Sequence, residues 1–129
     1  MLLFKKKFIE AIRSGTKTQT IRLLKHRRMK SGQRSFIPGV GYIRIESIER
    51  VELDQLTDMD AVLDGFPSAG ALRDELCALY GVDVLAKLTP FKIRFSVYPP
   101  SEQERIKEER RKDREQRAIL ANSYQLFNF

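Results

Sequence analysis

The stretch Phe91-Lys92-Ile93-Arg94-Phe95-Ser96-Val97-Tyr98 limits the fold most sharply, because it alternates apolar and polar residues until Pro99-Pro100 closes it. Successive side chains of a strand point to opposite faces, so the pattern predicts a strand with Phe91, Ile93, Phe95 and Val97 in a core. Other strand signals are Thr18–Ile21, Ser35–Ile37 and a long run from Tyr42 to Leu53. In the long run Ile43, Ile45, Val51 and Leu53 share one face while Ile48 falls on the other. A bulge or a fold-over near Ser47 would reconcile them.

Helical periodicity appears between the strand signals. Phe4, Phe8, Ala11 and Ile12 line one face of a helix over residues 5–13, and Gly15 can end it in a left-handed conformation. Thr57 or Asp58 caps a short helix that stops at Gly65. Pro67 and Ser68 open another that reaches Tyr80, with Leu72, Leu76 and Leu79 inward and Gly81 as its stop. Cys77 lies in this pattern and is read as a buried structural thiol. Residues 82–90 give no clear signal, so a loop and a short helix both stay open. The fold class is therefore α+β, with a domain over residues 1–98. From Ser101 to Arg117 the chain alternates Glu, Lys and Arg, with Ile106 the one apolar side chain. Pairs such as Glu108–Lys112 and Asp113–Arg117 support a solvated helix, so residues 99–129 form a charged helical tail. Its apolar end, Ile119 to Phe129, could dock on the domain, pair with a second chain or fray.

Charge is distributed unevenly. Residues 1–50 carry thirteen Lys and Arg against three Asp and Glu, whereas residues 51–100 carry four against eight. A segment this basic suits a polyanionic partner, nucleic acid first. The cations concentrate in Arg22, Lys25, Arg27, Arg28, Lys30 and Arg34, which are candidate phosphate contacts. His26, among them, is read as a stacking or hydrogen-bonding residue. No apolar run approaches the length of a membrane span. The apolar residues of Met1–Lys7 precede its charges, and the run is too short for a signal peptide. A single cysteine permits no internal disulfide and fits a cytoplasmic protein. One His and one Cys do not support a tetrahedral zinc site, so neither metal nor cofactor is expected.

The densest chemistry lies in Gly15-Thr16-Lys17-Thr18-Gln19-Thr20-Ile21-Arg22. As a strand it puts Thr18, Thr20 and Arg22 on one face and Gln19 and Ile21 on the other. Lys17, in the preceding turn, could bring its amine back towards the Thr20 hydroxyl. As ordinary loop chemistry, the same residues would simply face water.

Gly15, Lys17, Thr20 and Arg22 match a Gly-x-Lys motif with a polar residue three positions after the Lys and an Arg two further on. With the preceding amphipathic helix, the Gly32-Gln33 turn, the Leu53–Thr57 approach and the Asp64-Gly65-Phe66 corner, the chain resembles the ASCH domain (activating signal cointegrator homology) over about residues 1–98. The resemblance implies a small PUA-like β-barrel with flanking helices, associated with RNA. Threonine at position 20, where many ASCH domains carry an acid, resembles the branch of small bacterial N(4)-acetylcytidine amidohydrolases. That branch implies Lys17 as base, Thr20 as nucleophile and Asp64 as acid, with Asp64 standing where the family has Glu.

A threonine hydroxyl attacks only when a neighbouring base takes its proton, and a lysine serves only when neutral. Cations nearby, such as Arg22, disfavour the charged form of Lys17. Asp64 would need its affinity for a proton raised, which a charged Lys17 opposes. The implied reaction is hydrolysis of an acylated cytidine-type nucleoside or nucleotide through an acyl-threonine. The alternatives are an RNA-binding module without catalysis, using the basic 22–34 segment, or a ribonuclease.

Overall fold

The computed structural model describes residues 1–127, with side chains through Ser123. It divides into two compact units, Met1–Val97 and Tyr98–Phe129. The first unit is built on a four-stranded antiparallel sheet of β1 (Gln19–Leu24), β2 (Arg34–Ile37), β3 (Gly41–Arg50) and β4 (Thr89–Val97) in the order β1-β4-β3-β2. The alternating strand that the sequence singles out, β4, is central. Phe91, Ile93 and Phe95 are buried, but Val97 at its end is 36% exposed, because there the strand leaves the core. The expected bulge is present. The register with β4 shifts between Ile45 and Ser47, which brings Ile48 to the buried face with Ile43 and Ile45. Val51 and Leu53 lie beyond the strand, Leu53 opening a 3-10 turn (Leu53–Gln55).

Helices cover the sheet. Helix α1 (Lys6–Arg13) ends as expected: Gly15 has φ +80, and Thr16 N–H donates to Ala11 O at 2.9 Å while Gly15 N–H donates to Ile12 O at 3.2 Å. These two bonds close the helix end and turn the chain sharply into β1. Helix α2 (Asp58–Leu63) is capped by Thr57 and Asp60, each side chain bonded to the other's backbone N–H. Helix α3 (Ala69–Tyr80) starts at Ser68, which accepts from Ala71 N–H, and a short α4 (Val82–Lys87) fills the ambiguous region. One core cluster joins Leu2 and Ile12 to the isoleucines of β3 and the buried residues of β4. A second joins Ile21 and Leu23 of β1 to Ala61, Leu72 and Leu76 of the helices.

Three expectations are corrected. The sheet is open at β1 and β2, so these four strands do not close into the barrel implied by the resemblance. Leu79 is 56% exposed, on the flank of α3 rather than in the row of Leu72 and Leu76, and Cys77 is exposed instead of buried.

The second unit is a single long helix, α5 (Pro100–Phe127), extending ten residues beyond the charged run. Its ion pairs use the expected i,i+4 spacing, and i,i+3 as well, with different partners: Arg105 with Glu102 and Glu109 at 2.6 Å, and Arg111 with Glu108 and Glu115. Ile106 is fully buried, which all-round polarity did not suggest. Ile119 and Leu120 are more than half exposed, and the rest of the apolar end, from Tyr124 on, lies outside the residues whose side chains are described.

Candidate functional site

Strand β1 lies at a sheet edge, and the site grows from how that edge is finished. Alternate N–H groups of β1 point away from β4 and need other partners. Thr18 N–H donates to Leu63 O at 3.0 Å, and Ile21 N–H donates to Asp64 Oδ2 at 3.1 Å. The carboxylate at the end of α2 thus stands in for a missing neighbouring strand. Gly65, with φ +88, gives the chain the turn that follows Asp64, a conformation costly for any residue with a Cβ.

Lys17 reaches the same place from the other side. Its ammonium donates to both the backbone carbonyl and Oδ1 of Asp64, and the two side chains are 2% and 4% exposed. Three rings surround the amine, with centroids 4.8 Å (Phe8), 5.6 Å (Phe4) and 6.0 Å (Phe66) away. Ring faces attract a cation but do not replace its hydration shell. Burial accordingly pushes Lys17 below its ordinary lysine value. Attraction to Asp64 opposes the shift and Arg22 adds to it. Burial likewise raises Asp64 above the ordinary carboxylate value despite Lys17, the Ile21 N–H and Arg22. Both partners are driven towards their neutral forms.

Thr20 is buried, and Arg22 Nε donates to its hydroxyl at 3.2 Å. Arg22 is held in turn by Leu3 O at 2.5 Å and by stacking on Phe4, with its guanidinium carbon 4.6 Å from the ring centroid. Lys17, Thr20, Arg22 and Asp64 line one open cavity of about 380 Å³, walled mainly by Phe4, Phe8, Phe66, Leu72 and Leu76 and edged by Leu79 and Tyr80. This size is within the usual range of small-molecule sites. Lys17 therefore contacts Asp64 more directly than the turn chemistry suggested, and the Thr20 hydroxyl takes its hydrogen bond from Arg22.

The six cations of the basic run do not act together. Arg22 lines the cavity, whereas Lys25, Arg27, Arg28, Lys30 and Arg34 are exposed and do not. Residues 25–33 cross from one sheet edge to the other, tied down where Arg27 donates to Ile48 O, Ser31 Oγ to Glu46 O at 2.7 Å and Gly32 N–H to Ile45 O at 2.7 Å. Periodicity assigned Phe4 and Phe8 to the core and gave no hint that they enclose an amine. Only the short Asp64-Gly65-Phe66 corner pointed to the third ring.

No family model and no curated protein matches the chain. Two crystal structures share its fold. One is an ASCH domain from Lactobacillus crispatus JV V101, with TM-score 0.59 and 14% identity over 69% of each chain. The other is a protein from Enterococcus faecalis V583 assigned to the DUF984 family, with TM-score 0.57 and 16% identity over 70% of this chain and 69% of that one. The chain has an ASCH-type fold.

Proposed function

We propose that the cavity binds an acylated cytidine-type nucleoside and hydrolyses its amide, with Thr20 as nucleophile, Lys17 as base and Asp64 as acid. The observation that carries this reading is the buried Lys17–Asp64 pair in an open cavity that Thr20 also lines. Burying an ion pair is a poor way to stabilise a fold, and pairs with such shifted proton affinities concentrate at functional sites.

The chemistry follows from the neutral form that burial favours. The lone pair of the Lys17 amine takes the Thr20 hydroxyl proton as Oγ attacks the acyl carbonyl. Arg22 Nε, which donates to Oγ in the free protein, holds that oxygen in place for the attack. The C–N bond breaks as the Asp64 carboxyl protonates the leaving cytosine nitrogen, leaving an acyl-threonine. The Lys17 ammonium passes its proton back to Asp64 across their hydrogen bond. Water then attacks the ester, giving a proton to the neutral Lys17 amine, which returns it to Thr20 Oγ as the carboxylic acid departs. Rapid acid quenching during turnover of N(4)-acetylcytidine should leave one acetyl group on the peptide containing Thr20. An unmodified peptide during confirmed turnover would exclude the covalent route.

The pH profile should be bell-shaped, because one proton must be shared by the pair. Asp64 is raised, so the acid limb should lie above the ordinary carboxylate range of about 4. Lys17 is lowered, so the alkaline limb should lie below about 10.4. A rate flat between those two ordinary values would contradict the assignment.

A second reading, RNA binding by the basic segment, is favoured by the exposure of Lys25, Arg27, Arg28, Lys30 and Arg34 outside the cavity. With three or four phosphate contacts, log K should fall against log salt with a slope of about −2 to −4. Binding should survive Thr20→Ala and weaken in Arg28→Ala/Lys30→Ala. Salt-independent binding would rule this reading out.

A further inference from the structure

The mouth of the cavity carries a charge arrangement that the hydrolytic chemistry does not use. Lys5 and Glu75 both line it, and the amines of Lys5 and Lys7 converge on a single oxygen, Oε1 of Glu75, at 3.1 and 3.4 Å. These residues come from the N-terminal segment and the first turn of α1 on one side and from α3 on the other. Two like-charged amines brought to one carboxylate oxygen repel each other, and the single negative charge offsets only one of them. Further in, Lys17 and Asp64 balance, and Arg22 adds another cation. The cavity and its mouth together hold four cations against two carboxylates, so the surplus is positive where a ligand enters. Clefts with a surplus of one sign concentrate ligands of the other.

We propose that this mouth is a subsite for a phosphate on the ligand, so that the cavity takes an acylated cytidine bearing a phosphate in preference to the bare nucleoside. The inference rests on the reading of the cavity as a nucleoside site and names its substrate class more narrowly. A phosphate monoester carries a charge near −2 and three terminal oxygens, enough to bond both amines at once. Glu75 occupies the subsite in the free protein and yields to the phosphate. Glu75 is partly buried, but both lysines are more than half exposed, so the pairing costs little to break. The same phosphate chemistry could be presented by a free mononucleotide or by a nucleotide within an RNA chain.

Calorimetric titration of the full chain with N(4)-acetylcytidine, its 5′-monophosphate and a short RNA with one internal acetylcytidine tests the assignment and separates the sources. The monophosphate should bind about tenfold tighter than the nucleoside, the scale of one charged hydrogen bond. That ratio should shrink with added salt, fall towards one in Lys5→Ala/Lys7→Ala and grow in Glu75→Gln. If the RNA binds tighter than the monophosphate and loses that advantage in the lysine variant, the subsite serves a chain phosphate. An RNA advantage insensitive to the lysine variant overturns that source. Equal affinity for nucleoside and monophosphate overturns the subsite and leaves the hydrolytic reading intact. Absence of binding by both small molecules overturns the two together.

Discussion

Lys17→Ala and Thr20→Ala should each lower the release of acetate from N(4)-acetylcytidine by about a thousandfold or more, the scale of a lost base or nucleophile. Each variant removes one end of a single proton transfer, so the double variant should be little slower than either alone. Thr20→Ser keeps the hydroxyl within reach of Arg22 Nε and should retain measurable turnover, whereas Thr20→Val keeps the shape and should not. Asp64→Asn keeps an acceptor for the Ile21 N–H but cannot protonate the leaving nitrogen, so it should slow acyl transfer more than release of the acyl group. The measurement is acetate formed under single-turnover conditions, beside a circular-dichroism check that each variant is folded. Wild-type rates in Lys17→Ala or Thr20→Ala would end the hydrolytic assignment.

Lys17→Met alone should destabilise the protein by about 3–5 kcal/mol at neutral pH, because it leaves the Asp64 carboxylate buried without its partner. Combined with Asp64→Asn it should return to within about 1 kcal/mol of the parent, since the double variant holds no buried charge and Asn can still accept from Ile21 N–H. The pH dependence has a defined sign. Asp64 is raised in the folded state, so across the window above the ordinary carboxylate value the native state holds more protons than the unfolded chain. Stability therefore falls as pH rises through that window. Lys17 is lowered, so below its ordinary value near 10.5 the unfolded chain holds more protons and stability recovers as pH rises. The parent should show a shallow minimum of stability between the two windows, and the double variant should lose it. Urea denaturation at a series of pH values checks both statements. A double variant as unstable as the single one would mean that the pair is integral to the fold.

Asp64 illustrates why one residue matters to both experiments. It closes the open edge of β1 through Ile21 and holds Lys17 through its carboxylate and its carbonyl oxygen. The chain therefore keeps a costly buried pair at a point where the sheet already needs an acceptor.

Local patterns determined most of the elements. The alternation of Phe91 to Phe95 placed β4, and the conflicting phase of Ile48 placed the bulge beside Ser47, since side-chain direction along a strand is a property of the backbone alone. Gly15 and Thr57 marked helix ends for equally local reasons, a permissive φ and a side chain able to cap. Lys17, Thr20 and Arg22 stood out by their density in one short stretch, whereas Asp64 became a candidate only through the resemblance to the ASCH domain. What the residues could not give was their meeting. The 47-residue separation of Lys17 and Asp64 is bridged only because β1 is an edge strand and α2 ends against it. The burial that shifts both groups comes from rings on three separate segments. The same limit hid the openness of the sheet, the exposure of Cys77 and Leu79, and the separation of Arg22 from the other cations. Strand order and the packing of helices onto the sheet depend on contacts distant in the chain, and no local period records them.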